Sequence, residues 1–270
     1  MEARRLNTGA TMPAIGFGTG ELVDDHAYDA VRNALQAGYR MIDTASRYNN
    51  ETPIGQAVRG CGIPREDLFV TTKLWNDDQG YEETFAAFNA SLTRLGLDYV
   101  DLYLLHWPSG PDRLGSWRAM EEIYRSGRTR AIGVSNFTPK HLRELMAHAN
   151  ITPAVNQIEF HPSIYSEQKP IVDFCEQQGI VVQGYCPLMH GHMDSPVVRE
   201  VCQRTGRPAA QVLLRWSVQH GVVPLPRSDN PEHIASNIAI DGFELKPQDM
   251  SMLDQLNNGY RVFPNPFAIS

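Results

Sequence analysis

The chain has 270 residues, 42% hydrophobic and 20% charged, which supplies a large apolar core and excludes a disordered polypeptide. Its formal net charge of −7 argues against a general nucleic-acid binder, which selects a basic face, and no apolar run is long enough to span a bilayer. The opening MEARRLNTGATMP lacks the apolar block and cleavage site of a secretory signal. Together with four cysteines that show neither pairing nor ligand spacing (Cys61, Cys175, Cys186, Cys202), this points to a cytoplasmic protein.

In chain order, RRLNTGATMPAIGFG predicts a β-hairpin that runs into a first strand, IGFG. Short runs rich in Val, Ile, Leu and Tyr follow as strands: YRMID, DLFVTTK, DYVDLYLLH, RAIGVSN, PAVNQ, IVVQGY and GVVPLPRS. Between them lie segments of helical period, among them HAYDAVRNALQAG, YEETFAAFNASLTRLG, GSWRAMEEIYRSG, TPKHLRELMAHA, SEQKPIVDFCEQQG and RPAAQVLLRWSVQHG. Gly38, Gly96, Gly127, Gly179 and Gly221 punctuate helix ends, and Thr138 before Pro139 reads as an N-cap. No linker or low-complexity segment divides the chain. Strand–helix alternation of this kind gives parallel strands with crossover helices, and about eight such units close a (β/α)8 barrel of the triosephosphate-isomerase type, here one domain over residues 1–270 with an N-terminal β-hairpin. An open doubly wound sheet is the weaker alternative. After its first strand the sequence Gly16-Phe-Gly-Thr-Gly20 stops short of the G-x-G-x-x-G dinucleotide fingerprint.

Active sites of such barrels lie at the carboxyl ends of the strands. The candidate strands end, in order, at Asp43, Lys73, His106, Ser135 and Asn136, Gln157, Tyr185, and Arg227 and Ser228. A single polar strand end means little; seven in succession predict a polar funnel.

The stretch GYRMIDTASRYNNE sets Tyr48 five residues after Asp43. A phenol, with a pKa of ~10, donates its proton poorly at neutral pH unless a cation stabilises the anion. Lys73 can supply that cation, Asp43 can hold it in place, and His106 can donate a hydrogen bond to a carbonyl oxygen. This set supports carbonyl reduction and offers no activated nucleophile or metal-bound water, so the reducing equivalent must come from a cofactor. The pair of histidines in HGH, residues 190–192, has no third ligand in view, and no metal site is expected.

The blocks GYRMIDTASRYNNE, TTKLWN, LLHWP, GVSNF, NQIEFHP and GYCPL resemble, in order and along essentially the whole chain, the signatures of the aldo-keto reductase family, in the bacterial form of the diketogluconate and methylglyoxal reductases. The resemblance implies a monomeric barrel that moves a hydride from a nicotinamide cofactor to a small-molecule aldehyde or ketone. It makes Tyr48 the general acid, tuned by Lys73 and Asp43, with His106 orienting the carbonyl. It assigns Ser135, Asn136 and Gln157 to the nicotinamide carboxamide, Tyr185 to its ring, and Trp75 and Trp107 to the substrate mouth. A sensing subunit that binds the cofactor without turnover is the alternative within the family, and a metal-dependent barrel hydrolase the alternative outside it.

Departures from the family pattern concern cofactor and substrate choice. NADP(H)-preferring members carry a Lys-Ser pair and a later Arg where PLPRSDNPEH has Arg227, Ser228 and His233; Ser236 replaces a Glu and Asn237 is kept. With Asp229 adding an anion beside Arg227, these changes predict relaxed choice, NADP(H) used and NAD(H) also accepted. Gly20 stands where many relatives place an aromatic residue, which predicts an open mouth; Phe17, Tyr260, Phe263 and Phe267 are candidates to refill it. Substrates in reach are α-oxoaldehydes, keto acids or esters, diketo sugars and bulky ketones. Cys186, beside Tyr185, is expected as a quiet replacement for the family's Ser or as an oxidation-sensitive thiol.

Overall fold

The computed structural model describes residues 2–269. Two short strands, β1 (Arg4–Arg5) and β2 (Thr11–Met12), form the antiparallel hairpin, with Arg4 opposite Met12. Gly9, at φ +87°, supplies the left-handed turn residue. Eight parallel strands follow in sequential order: β3 (Phe17–Gly18), β4 (Met41–Asp43), β5 (Phe69–Leu74), β6 (Leu102–Leu105), β7 (Ile132–Ser135), β8 (Val155–Glu159), β9 (Val181–Tyr185) and β10 (Val223–Leu225). The Gly16 and Gly18 amides donate to the carbonyls of Pro224 and Pro226 at 3.1 and 3.0 Å, which carries the ladder from β3 to β10 and closes the barrel.

Among the described residues ten α-helices decorate it: α1 (Asp24–Gln36), α2 (Glu51–Arg59), α3 (Tyr81–Leu95), α4 (Arg113–Arg125), α5 (Pro139–Met146), α6 (Tyr165–Gln177), α7 (Pro196–Thr205), α8 (Ala209–Gln219), α9 (Pro231–Ile238) and α10 (Pro247–Asp254). All five predicted stop glycines adopt positive φ, from +64° at Gly96 to +106° at Gly38. Thr138 caps α5 as expected, accepting from the His141 amide, while His141 Nδ1 accepts from the Thr138 amide at 3.2 Å. None of the helices among the described residues is long and apolar enough to cross a membrane.

Strand parity sorts the side chains into two buried layers. Ile42, Val70, Leu74, Tyr103, Leu105, Ile132, Val134, Ile158 and Val182 pack outward against the helices. Met41, Phe69, Leu102, Leu104, Val155, Val223 and Leu225 point into the barrel, where Leu6 and Met12 of the hairpin join them as a plug. Continuing the inward register towards the carboxyl ends gives Asp43, Lys73, His106, Ser135, Gln157, Gln183 and Tyr185. One alternation therefore builds an apolar floor below and a polar layer above it. Phe17 belongs to the outward layer, edge-on to Tyr39 with centroids 5.6 Å apart, because its neighbour Gly18 takes the inward register; it does not refill the mouth.

Candidate active site

The polar layer opens into a cleft of about 1090 Å³ at the carboxyl ends of the strands. Asp43, Tyr48, Trp75, His106, Trp107, Ser135, Asn136, Gln157 and Tyr185 all line it, as do Gly20, Arg227, Ser228, His233 and Asn237. Asp229 is exposed and does not.

At the floor the Lys73 ammonium is fully enclosed and uses all its donors: Asp43 Oδ1 at 2.5 Å, the Thr44 carbonyl at 2.9 Å and the Tyr48 hydroxyl at 3.3 Å. Burial works to lower the Lys73 pKa, but the Asp43 carboxylate and Tyr48 outweigh it and hold the ammonium above 10.5. Tyr48 shows the opposite balance. Burial raises the phenol, Lys73 pulls it down and Asp43 pushes it up, so the net shift is upward from 10.0. The expected cation is in place, but its effect is outweighed by desolvation. Tyr48 ends a short 3-10 turn, Ser46–Tyr48, pinned by the Ser46 hydroxyl on the Lys73 carbonyl at 3.0 Å and by Asn49 in the left-handed region at φ +56°.

His106 stands edge-on to both Tyr48 and Trp75, with centroid separations of 5.7 and 5.2 Å. Burial, then the Lys73 and Arg47 charges, drive its pKa well below 6.5 and keep the imidazole neutral. Its Nδ1 is enclosed without a partner, a position better suited to a bare lone pair than to an orphaned N–H, which leaves the proton on Nε2.

On the next wall, Asn136 sits at φ +65° and donates to the His106 carbonyl at 3.0 Å and to Ser135 Oγ at 3.1 Å, while its oxygen accepts from the Tyr185 hydroxyl at 2.7 Å. Ser135 Oγ donates to the Gln157 carbonyl at 2.8 Å. The Gln157 amide reaches Asp43 Oδ2 at 2.8 Å and Gln183 Oε1 at 2.9 Å, and Gln183 in turn touches Met12 Sδ at 3.2 Å. Strand β8 runs two residues past the predicted end at Gln157, because its ladder to β9 continues through Ile158 opposite Gly184 and Glu159 opposite Tyr185, and the Glu159 carboxylate accepts the amides of Val262 and Phe263 at 2.6 and 3.2 Å. Those bonds, with His141 Nε2 on the Ile269 carbonyl at 3.1 Å, lay residues 262–269 along the cleft, where Phe263, Pro264 and Ile269 form a wall. Of the aromatic candidates for refilling the mouth, Phe263 lines the cleft, while Tyr260 packs on His192 and Phe267 is exposed.

At the far end of the cleft Arg227 pairs with Glu21 at 3.0 Å, so Glu21, which sequence reading missed, supplies the anion expected from Asp229. A Cβ on Gly20 would stand 3.7 Å from Tyr48 Cζ, an ordinary contact, so this glycine leaves open space above the phenol. Cys186 also lines the cleft, at φ +50°, and burial pushes its thiol up to about 12, which favours the quiet replacement over the oxidation-sensitive thiol. Among the described residues no group of three or more His, Cys, Asp or Glu side chains gathers to hold a metal.

Residues 12–258 match the model of the aldo/keto reductase family. The chain is 46% identical over 264 residues to a glyoxal reductase of Bacillus subtilis, covering 97% of this chain and 95% of that protein. It is 45% identical over 277 residues to a morphine 6-dehydrogenase of Pseudomonas putida, at 97% and 93% coverage. Among solved structures, an aldo-keto reductase from a deep-sea metagenome superposes with a TM-score of 0.93 at 41% identity over 97% of each chain. An aldo-keto reductase of Bombyx mori in complex with NADP gives 0.90 at 34% identity, over 97% and 94%.

Proposed function

The chain belongs to the aldo/keto reductase family, and on that premise we propose that it reduces aldehydes and ketones to alcohols with Tyr48 as proton donor and NADP(H) as cofactor. The observation that carries the reading is the buried contact set of Lys73, which joins a carboxylate and a phenol at the floor of a large cleft. A cleft of about 1090 Å³, at the top of the range of roughly 300–1,000 Å³ usual for one drug-sized ligand, supports a dinucleotide together with a small substrate. Amide and hydroxyl groups of Ser135, Asn136 and Gln157 would hold the carboxamide, Tyr185 the ring, and Arg227, Ser228, His233 and Asn237 the adenosine end. When bound, the nicotinamide supplies the hydride.

The protein's own part is positional and electrostatic. The neutral His106 Nε2–H donates to the carbonyl oxygen and fixes it beside the phenol. As hydride reaches the carbonyl carbon, Tyr48 gives its proton to the oxygen, the alcohol forms, and the phenolate left behind lies 3.3 Å from a permanent ammonium. The upward shift of Tyr48 keeps the phenol protonated until that moment, and Lys73 stabilises the charge that develops only during transfer. Asp43 keeps Lys73 charged and oriented. The similarity to a glyoxal reductase and the open space at Gly20 support small oxoaldehydes as substrates with little steric discrimination. Arg227, already committed to Glu21, supports weak selection between NADP(H) and NAD(H).

The testing experiment is Tyr48→Phe with a carbonyl panel. Turnover should fall by roughly two to four orders of magnitude while cofactor affinity persists. Undiminished turnover would move the acid role elsewhere.

A further inference from the structure

Histidines aside, four charged residues line the cleft: Glu21, Asp43, Arg47 and Arg227. Asp43 is matched by Lys73 at 2.5 Å and Glu21 by Arg227 at 3.0 Å. Arg47 has no ion-pair partner among the described residues. Its recorded contact is with the indole of Trp75, 5.2 Å from guanidinium carbon to ring centroid, and this uses none of its N–H donors. Among the described residues, a protein of net charge −7 thus presents one uncompensated cation at the mouth of its cleft.

The position of Arg47 is fixed by the same turn that fixes the proton donor. It precedes Tyr48 in the pinned 3-10 turn, and the Trp75 ring on which it rests stands 5.2 Å from His106. A substrate whose carbonyl lies between Tyr48 and His106 can therefore extend over Trp75 and end at the guanidinium. We infer that Arg47 selects carbonyl compounds bearing a carboxylate, with the carboxylate separated from the reacting carbonyl by a spacer about as long as the indole is wide. The planar fork of the guanidinium matches a carboxylate in two parallel hydrogen bonds, and the apolar spacer over Trp75 displaces the water that would weaken them. The inference rests on the reductase reading and narrows its substrate class to oxo acids.

The test compares each acid with its own methyl ester, succinic semialdehyde and 4-carboxybenzaldehyde being suitable pairs, in the wild type, Arg47→Gln and Arg47→Lys. The wild type should favour the acids in kcat/KM by about five- to tenfold at low salt, chiefly through KM, since a partly exposed charge pair is modest and screened. That ratio should collapse to about one in Arg47→Gln and survive in part in Arg47→Lys. Quenching of tryptophan fluorescence by 4-carboxybenzyl alcohol should weaken in parallel. An acid-to-ester ratio equal in wild type and Arg47→Gln overturns the inference, as does a variant whose whole defect is weaker cofactor binding. A wild type inert towards every ester and acid would retract the reductase reading, and the alcohol titration would still decide whether Arg47 binds carboxylates.

Discussion

Glu21 and Arg227 meet at 3.0 Å and tie the loop after β3 to the loop after β10. Glu21 does so from the left-handed region, at φ +65°, a conformation that costs a non-glycine residue about 1 kcal/mol and so requires the surroundings to hold it. Both side chains are partly exposed, at 60% and 36%, so the pair itself contributes little to stability, about 0–1 kcal/mol. Its consequence is for ligand choice. A 2′-phosphate must take the guanidinium away from a carboxylate and then tolerate that carboxylate nearby, whereas a 2′-hydroxyl can donate to it. Glu21→Gln should therefore tighten NADP+ about three- to tenfold and leave NAD+ unchanged or slightly weaker. Fluorescence titration of both nucleotides checks this, and an equal shift for the two would show that Glu21 does not discriminate between them.

Lys73 offers a second test, because it acts on Tyr48 against two opposing influences. Removing it in Lys73→Met leaves burial and the Asp43 charge, both of which raise the phenol. Turnover should fall about a hundredfold or more, and the alkaline limb of the pH–rate profile should move up, since the acid becomes weaker rather than stronger. The single variant also strands the Asp43 carboxylate, which is only 4% exposed, at a cost of about 3–5 kcal/mol. The double variant Asp43→Asn/Lys73→Met removes that charge as well. It should regain most of the lost melting temperature without regaining turnover, which separates the chemistry from the fold.

The polar floor of the cleft was legible in the sequence because it lies on strands, where a period of two and a carboxyl end suffice to place Asp43, Lys73 and His106 on one inward rim. Gln183 obeys the same parity, but two residues inside a strand it reads as one more polar residue in a buried run. Only the closed barrel reveals that it links Gln157 to the methionine plug. Side walls made by loops were harder. Whether Asp229 or Glu21 faces Arg227 depends on how two loops remote in sequence meet, and local pattern carries no information on that. The tail is similar: Phe263 reaches the cleft because Glu159, over a hundred residues earlier, accepts its amide. The sign of the Tyr48 shift was also beyond the sequence, since residue types name the nearby charges but not the burial that outweighs them.

Gly20 gives a steric prediction. Its φ is not in the left-handed region and a Cβ there meets only the edge of Tyr48 at 3.7 Å, so Gly20→Trp should fold without backbone strain. The new ring would roof the phenol and divide the open mouth. We expect kcat/KM for bulky ketones to fall at least tenfold while that for a two- or three-carbon oxoaldehyde changes little, a difference of about 1–3 kcal/mol in pocket fit. Parallel losses for large and small substrates would instead indicate that the ring displaces Tyr48 itself.

His106 links the active site to acid stability. In the folded protein burial, reinforced by Lys73 and Arg47, holds its pKa well below 6.5, whereas in the unfolded chain the imidazole titrates near its ordinary value. Well above pH 6.5 both states are neutral at this group and it contributes no pH dependence. As pH falls below that value, the unfolded chain binds a proton that the folded chain refuses, so the unfolded state gains about 1.4 kcal/mol per pH unit until the folded pKa is reached. The fold therefore loses stability on the acid side, in the direction opposite to a histidine that gains a carboxylate partner on folding. Replacing the imidazole by an uncharged amide in His106→Gln removes this contribution. Urea denaturation at pH 7.5 and 5.5 should show a smaller loss for the variant than for the wild type, by roughly 1 kcal/mol. Equal losses would mean that His106 accepts its proton in the folded protein, and a charged imidazole would then face the carbonyl as the acid limb of the rate profile is crossed.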